Sequence, residues 1–511
     1  MLIGFVIIIL ILFFYPMFLP RKIKPLPVVD TTQTQTSIAP APRETLASTL
    51  TAPMPLPIPE TTAVLENQFL RAEFTSGGGA IKSCYLKRYQ VQLIPENTSL
   101  LGNPELTRFP VTLTQNESTV TFTYDMPEGL LTKTWSIGKD YSFRITFNGL
   151  LPNRNLIFDA QSGIPITEKE VREDLANFHF YARTENKIHQ TSSGQLRKKP
   201  FITNADWVGL KSKYFFLALV NLTGRFDSVQ VELLPDNRIG FTAPAKTTGN
   251  ANFLVYAGPI EYNCLRSFHL GFENVVSLGW LKPIALGILY LLRLFYSLVG
   301  NWGWAIVIFS ALMKGIFYPL SRTQIKQMRQ LQLLQPKIEE LKKKYHDDPQ
   351  MLNQETMRLY QLYKVNPLSG CLPLLVQMPI FFALYAVLRN FVELRGAGFL
   401  LWLKDLSQPD TLFGHLPRGV PLVGGFAIGL LPILMGISFI FQNLMTSTDR
   451  RNRALTIIFP VFITAIFLNL SSGLQLYWFV YNVLSIVESV ISTKGGSLWQ
   501  KIKKSPTLGV R

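Results

Sequence analysis

Lys314 lies in the middle of the apolar run 303–320, Gly-Trp-Ala-Ile-Val-Ile-Phe-Ser-Ala-Leu-Met-Lys-Gly-Ile-Phe-Tyr-Pro-Leu. A charge among apolar residues costs at least a few kcal/mol at bilayer depth, so it should face protein or water, and such residues usually mark function. The chemistry it offers is electrostatic: an ammonium that attracts carboxylates. A snorkelling lysine is the alternative, because Lys314 is six residues from Leu320, roughly 9 Å at helical rise, a span that a long side chain partly covers. Other apolar runs carry Ser310, Gln377, Gln442, Asn443, Asn469, Gln475, Asn482 and Glu488. Several of these could line one wet cavity with Lys314, or they could simply bond helix to helix.

Covalent and metal chemistry find no support in the sequence. No nucleotide or dinucleotide motif is present, and Gly77-Gly78-Gly79 reads as a turn because no helix pattern or Lys-Ser/Thr pair follows it. Three cysteines, Cys84, Cys264 and Cys371, are too few for a disulfide framework, and no Cys/His spacing resembles a zinc site. Cys84 and Cys264 could pair only in an oxidising compartment; two buried thiols are the other reading. The reading is a non-enzyme without cofactors or metal.

The elements that must position these residues follow from composition. Of 511 residues only 16% are charged and 48% are hydrophobic, with the apolar residues concentrated in long runs, which excludes an ordinary soluble or disordered chain. The net charge of +17 fits an anionic lipid surface or a nucleic acid, and position must decide between them. Residues 1–20 read as an uncleaved transmembrane anchor, since no basic segment precedes the apolar run and no small-x-small site follows it. Residues 21–62 are a Pro/Thr-rich linker that cannot bury enough surface to order itself. From 63 to 272 short alternating strands separated by Asn, Gly, Asp and Pro point to one large β-sandwich.

Residues 273–301 hold an apolar helix whose stretch 280–300 has Lys282 and Arg293 as its charges, read as interfacial with a membrane span as the alternative. Residues 302–493 follow, with spans at 303–320, 368–388, 424–445, 454–470 and 473–492, making six with the anchor. Basic residues outnumber acids nine to five in 321–366 and three to one in 446–453, and the tail 494–511 has five and no acid. These face the cytoplasm, which places both termini inside and the β-domain outside. Arg21, Lys22 and Lys24 dissent, lying on the outer side of the first span.

Within 321–366, Met328, Leu331, Leu334, Ile338, Leu341 and Tyr345 recur every three or four residues between charges, the pattern of an amphipathic helix. His346-Asp-Asp-Pro349 supplies a turn, and Leu352, Leu359 and Tyr363 continue on a second helix. The result is a helical hairpin, or in the plainer reading a solvated connector between two spans.

Several motifs then occur in one order. They are Asn301-Trp-Gly-Trp304, Lys314-Gly-Ile-Phe-Tyr-Pro-Leu320, Leu334-Gln-Pro-Lys-Ile338 and Lys364-Val-Asn-Pro-Leu368. Gly370-Cys-Leu-Pro-Leu374, Gln377-Met-Pro-Ile-Phe-Phe-Ala-Leu-Tyr385, Val392-Glu-Leu-Arg395 and Ser472-Gly-Leu-Gln-Leu-Tyr477 complete the set. This half of the chain resembles the bacterial YidC family of membrane protein insertases. Asp206-Trp-Val-Gly209, Tyr214-Phe215 and Tyr256-Ala-Gly-Pro259 resemble the periplasmic domain of the Gram-negative type.

The resemblance implies a polytopic α-helical inner-membrane protein with six transmembrane helices, a five-helix insertase core and an extracytoplasmic all-β supersandwich domain. It implies a cytoplasm-open hydrophilic groove that receives nascent membrane proteins, alone or with the Sec translocon, with ribosome, targeting factors and anionic lipids as further partners. Nucleic-acid binding is not required. Where the family usually places arginine in the groove, this chain has Lys314. Ser310 matches a small hydroxyl position, and Tyr477 and Trp478 fall on the groove-lining last span, with Gln377, Gln442, Asn482 and Glu488 as further lining candidates. Met378, Phe381 and Phe382 with Phe462 and Phe467 offer a surface along which a substrate helix could slide, or ordinary lipid-facing packing. If the second and last spans are neighbours, Glu488 shares a depth with Lys314 and could bond it; otherwise Glu488 faces the headgroups.

Overall fold

In the computed structural model the described residues are 60–149, 154–196, 201–247, 249–366, 372–417, 425–446 and 453–502. The anchor 1–20, nearly all of the linker, most of the basic loop 446–453, Cys371 and the end of the basic tail lie outside them. Cα packing divides the chain into two units, Met1–Ser212 with Leu217–Ala257, and Lys213–Phe216 with Gly258–Arg511.

The first unit is built of strands. β1 (Thr62–Glu66), β2 (Leu70–Thr75), β3 (Ala80–Leu86) and β4 (Val91–Gln92) form one sheet in that order. β5 (Val111–Gln115), β6 (Thr119–Met126), β7 (Gly129–Ile137), β8 (Ser142–Asn148) and β9 (Arg154–Ala160) follow. Then come β10 (His179–Thr184), β11 (Lys187–Ser192), β12 (Phe201–Ala205), β13 (Trp207–Lys211) and β14 (Phe215–Asn221). β15 (Phe226–Leu233), β16 (Ile239–Thr247) and β17 (Ala251–Pro259) complete the set. Nine strands make the main sheet in the order β11-β10-β13-β14-β17-β8-β7-β6-β5, and β12-β15-β16-β9 make a further four-stranded sheet. Non-consecutive neighbours such as β17 and β8, paired antiparallel from Ala251↔Phe147 to Tyr256↔Ser142, are what a layered β fold requires and a βαβ fold does not.

Alternation puts Leu131, Lys133 and Trp135 of β7 inward, where Phe74 lies 4.9 Å from Trp135 and Phe158 4.6 Å from Phe253 between ring centroids. The triple-glycine turn approaches this core so closely that a Cβ on Gly78, whose φ is +65°, would fall 2.7 Å from the carbonyl oxygen of Asn103. Cys84 is buried within this unit.

The second unit is helical. α1 (Tyr262–Ser267) leads to α2 (Lys282–Val299), whose buried Ala285, Ile288, Leu289 and Leu292 lie on one face. α2 is also long and apolar enough to cross a membrane, so it has the face of an interfacial helix and the length of a span. Its Arg293 bonds Glu261 at 2.9 Å and Glu393, whose carboxyl burial pushes up and Arg293 partly pulls back down. α3 (Trp302–Ile316) starts at Asn301, which caps it by accepting from the amides of Gly303 and Trp304 at 2.9 and 3.2 Å. A Cβ on Gly303 would sit 2.0 Å from the Phe399 ring, so the motif glycine is needed for close approach.

The first core run departs from the expected 303–320. α3 stops at Ile316, and α4 (Tyr318–Lys344) leaves it at 61°. Pro319 explains the break: it has no amide hydrogen to continue the ladder of α3, and it suits the first turn of a new helix, where that donor is not needed. α5 (Pro349–Leu362) is capped by Asp348, which accepts from the Gln350 and Met351 amides at 3.1 and 3.0 Å. α6 (Leu372–Asn390), α7 (Leu430–Thr446), α8 (Arg453–Phe467) and α9 (Ser472–Ile502) complete the unit. Among the described residues, α2 and the 472–492 part of α9 have the length and apolarity of spans. The bent pair α3–α4 makes a third, and shorter apolar helices lie at Leu430–Leu444 and Ile458–Phe467.

Candidate functional site

Lys314 sits in the last turn of α3, where the helix carbonyls favour a cation. Its side chain turns inward and is 11% exposed. The ammonium has three donors and the structure supplies three oxygens: Glu488 Oε2 at 2.6 Å, Ser485 Oγ at 2.9 Å and Ser321 Oγ at 3.3 Å. Tyr481 adds its ring face, 5.1 Å from Nζ. Ser321 in turn donates to the same Glu488 oxygen at 2.6 Å, and Ser485 donates to the Tyr481 carbonyl at 2.8 Å. The donor directions are consistent around the cluster.

Three helices build this cluster. Tyr481, Ser485 and Glu488 are spaced by four and three on α9 and share one face. Ser321 opens α4 just past the bend, so the break at Pro319 brings it back beside Lys314. The Glu488 side chain is 7% exposed, and among the described residues its Oε1 has no hydrogen-bond donor.

Two of the other lining candidates make helix-to-helix bonds. Gln377 on α6 donates to the Tyr477 hydroxyl, and Asn482 donates to Ser438 Oγ on α7 at 3.4 Å. Ser310 is fully buried, with its hydroxyl given to the Ile306 carbonyl one turn back at 2.7 Å, so it supplies a small side chain more than a free donor. Trp478 is packed between Phe381 and Phe467, each with its ring centroid 5.4 Å away, and among the described residues its buried Nε1 has no acceptor.

A family model described as the 60Kd inner membrane protein matches residues 294–497, and one described as the YidC periplasmic domain matches residues 103–291. A membrane protein insertase YidC of Pelobacter propionicus is 32% identical over 473 residues, covering 83% of this chain and 85% of that protein. The chain belongs to the YidC family. The YidC of Geobacter sulfurreducens is 30% identical over 456 residues, 81% of this chain and 83% of its own. A crystal structure of an active YidC insertase with its first transmembrane domain resolved is 22% identical over 84% of this chain and 91% of that one, with a TM-score of 0.40.

Some of the apolar residues expected to form a sliding surface lie elsewhere. Phe381 and Phe467 are each 3% exposed, and their contact with Trp478 makes them core rather than a surface for sliding. Helical spacing marks an apolar face but does not say whether lipid or protein covers it. Phe462 is exposed, and Met378 and Phe382 are half-buried. In the hairpin, Leu331, Leu334 and Ile338 pack on Val365, with Met328, Leu359 and Tyr360 around them. Leu341 and Tyr345 are half-buried at its far end.

Sequence reasoning missed Ser321, Ser485 and Tyr481. The spacing of Tyr481 and Ser485 before Glu488 was an available signal; Ser321 had none until Pro319 was read as a break. It also missed Lys133, which is fully buried in the β-unit. Its Nζ donates to the Gly78 carbonyl at 3.1 Å, the Leu101 carbonyl at 3.2 Å and Asn103 Oδ1 at 2.6 Å. There the signal was period two, which sets Lys133 beside Leu131 and Trp135.

Proposed function

We propose that this chain inserts nascent membrane proteins into the bacterial inner membrane and helps them fold, working alone or beside the Sec translocon. The observation that carries the reading is the buried cluster around Lys314 in a helical unit whose relatives are named membrane protein insertases. A polar or acidic client segment entering hydrocarbon faces a desolvation cost of several kcal/mol. A cytoplasm-open hydrophilic groove lined by Lys314, Ser310, Gln377, Gln442, Tyr477, Trp478, Asn482 and Glu488 would remove part of that cost, and Lys314 would hold client carboxylates transiently. No covalent step is involved.

In this reading both termini are cytoplasmic and the β-unit is periplasmic, following the basic residues of 321–366 and 446–453. The hairpin α4–α5 then projects toward ribosomes and targeting factors, and its lysines and arginines suit anionic lipid headgroups. Phe462, Met378 and Phe382 are the half-buried or exposed apolar residues that an inserting helix would meet on its way to lipid. The deciding experiment is insertion of a small single-span client into vesicles containing only this protein. Protease-protected client above the level of empty vesicles is expected, and its absence in correctly oriented vesicles would reject the function.

A further inference from the structure

We propose that Glu488 is a second client-binding point beside Lys314: its buried Oε1 receives the ammonium or guanidinium of a client segment, so the pocket takes basic as well as acidic segments. This rests on the insertase reading. Both internal donors, Lys314 and Ser321, use Oε2, at 2.6 Å each. Oε1 is buried and meets no donor among the described residues. An ionised carboxylate has about four acceptor positions and pays heavily for a bare oxygen out of water, so such an oxygen is a place for a donor. A cationic donor is the strongest match, because the bond is charge-assisted.

The neighbours make exchange feasible in either sense. When a client cation draws Glu488, Lys314 keeps Ser485 at 2.9 Å and the Tyr481 ring at 5.1 Å. When a client carboxylate draws Lys314, Glu488 keeps the Ser321 hydroxyl at 2.6 Å. In either exchange the charge left behind keeps a hydrogen-bond partner, and the client's own charge holds the group that it draws away.

The test uses the full chain in vesicles and three single-span clients that carry one Asp, one Lys or one Gln at the same position of the translocated segment. Protease protection is read relative to the Gln client. Glu488→Gln should lower the Lys-client ratio roughly tenfold, while Lys314→Gln lowers the Asp-client ratio by a similar factor. Glu488→Asp should restore the Lys-client ratio, because it keeps the charge. An equal fall of all three clients with Glu488→Gln would make Glu488 only a packing partner of Lys314 and overturn the proposal. If Glu488→Gln does not accumulate, the double variant Lys314→Gln/Glu488→Gln carries the test, and a retained Lys-client ratio there overturns it. An Asp-client ratio that ignores Lys314→Gln counts instead against the role of Lys314 in the groove, so the two failures can be told apart.

Discussion

Ser321 donates to the carboxylate of Glu488 at 2.6 Å from the far side of the 61° bend that separates it from Lys314. One oxygen of one carboxylate therefore ties the end of α3, the start of α4 and the middle of α9. The bend is the root of the hairpin, so the charged cluster and the hairpin share a joint.

That joint makes the first prediction. Glu488→Gln leaves Lys314 with two hydroxyls and a ring in place of a counter-charge, and breaking one side of a buried pair costs about 3–5 kcal/mol. Lysine is a point charge that needs a close counter-charge, whereas the planar guanidinium of arginine has five donors to spread over the hydroxyls that remain. Glu488→Gln should therefore reduce insertion of acidic clients severalfold, and Lys314→Arg in the same chain should restore most of it. Protease protection of an acidic client measures both, and failure of arginine to rescue would show that the loss comes from packing.

A second prediction concerns the hairpin seam. Leu334 is 4% exposed and packs with Leu331, Ile338 and Val365. Leu334→Ala should cost about 2–4 kcal/mol, read as faster proteolysis of 318–362, by the usual transfer and cavity terms. Shortening α4 and α5 by matched turns beyond this seam should spare the cluster yet lower insertion in cells. Normal growth and insertion at normal protein level would make the hairpin a connector only.

How much of this was legible in the sequence follows from the kind of signal each residue carried. Lys314 stood out because a lone charge in an apolar run has one strong physical reading. Its partner Glu488 could be matched only by depth, and depth cannot say which way a side chain turns. Ser485 and Tyr481 are ordinary in apolar helices and became visible only through their shared face. Ser321 falls in the connector by composition because the apolar run continues through Leu320, although Pro319 already ends the helix. Lys133 was hidden by Thr132 and Thr134, whose polarity makes the whole stretch look solvent-facing, although the pleat sends the lysine inward.

A third prediction separates the two units. The dense motifs begin near Asn301, so deleting 80–255 while keeping the anchor and α2 should preserve insertion of a simple client. The deletion also removes Phe215 and Phe216, which pack in the helical unit: Arg395 lies 5.6 Å over the Phe215 ring, and Phe216 lies 5.5 Å from Phe272. Retained activity with lowered thermal stability is the expected result. Complete loss of activity in a stable, correctly oriented chain would show that the β-unit takes part in the reaction itself.

The last prediction concerns Cys84 and Lys133, both sealed in the β-unit. Burial pushes the Cys84 thiol up to about 12, so it should resist alkylation until the unit unfolds. Burial likewise pulls the Lys133 amine down to about 7 from 10.5, with Glu105 acting weakly in the other direction. Between those values the unfolded chain binds the proton more tightly than the folded one, so stability rises as pH goes from about 7 toward 10 and levels off above the unfolded pKa. The three oxygens around Nζ limit this trend by holding the ammonium when it forms. Amide exchange in β7 of the full chain should therefore slow, relative to the intrinsic rate, as pH rises over this window, and Lys133→Met should abolish the trend. The variant should also be less stable by about 1–3 kcal/mol, because it leaves the Asn103 side chain and two carbonyls without their donor. Exchange in the parent with no pH dependence beyond the intrinsic rate would mean that Lys133 stays charged throughout.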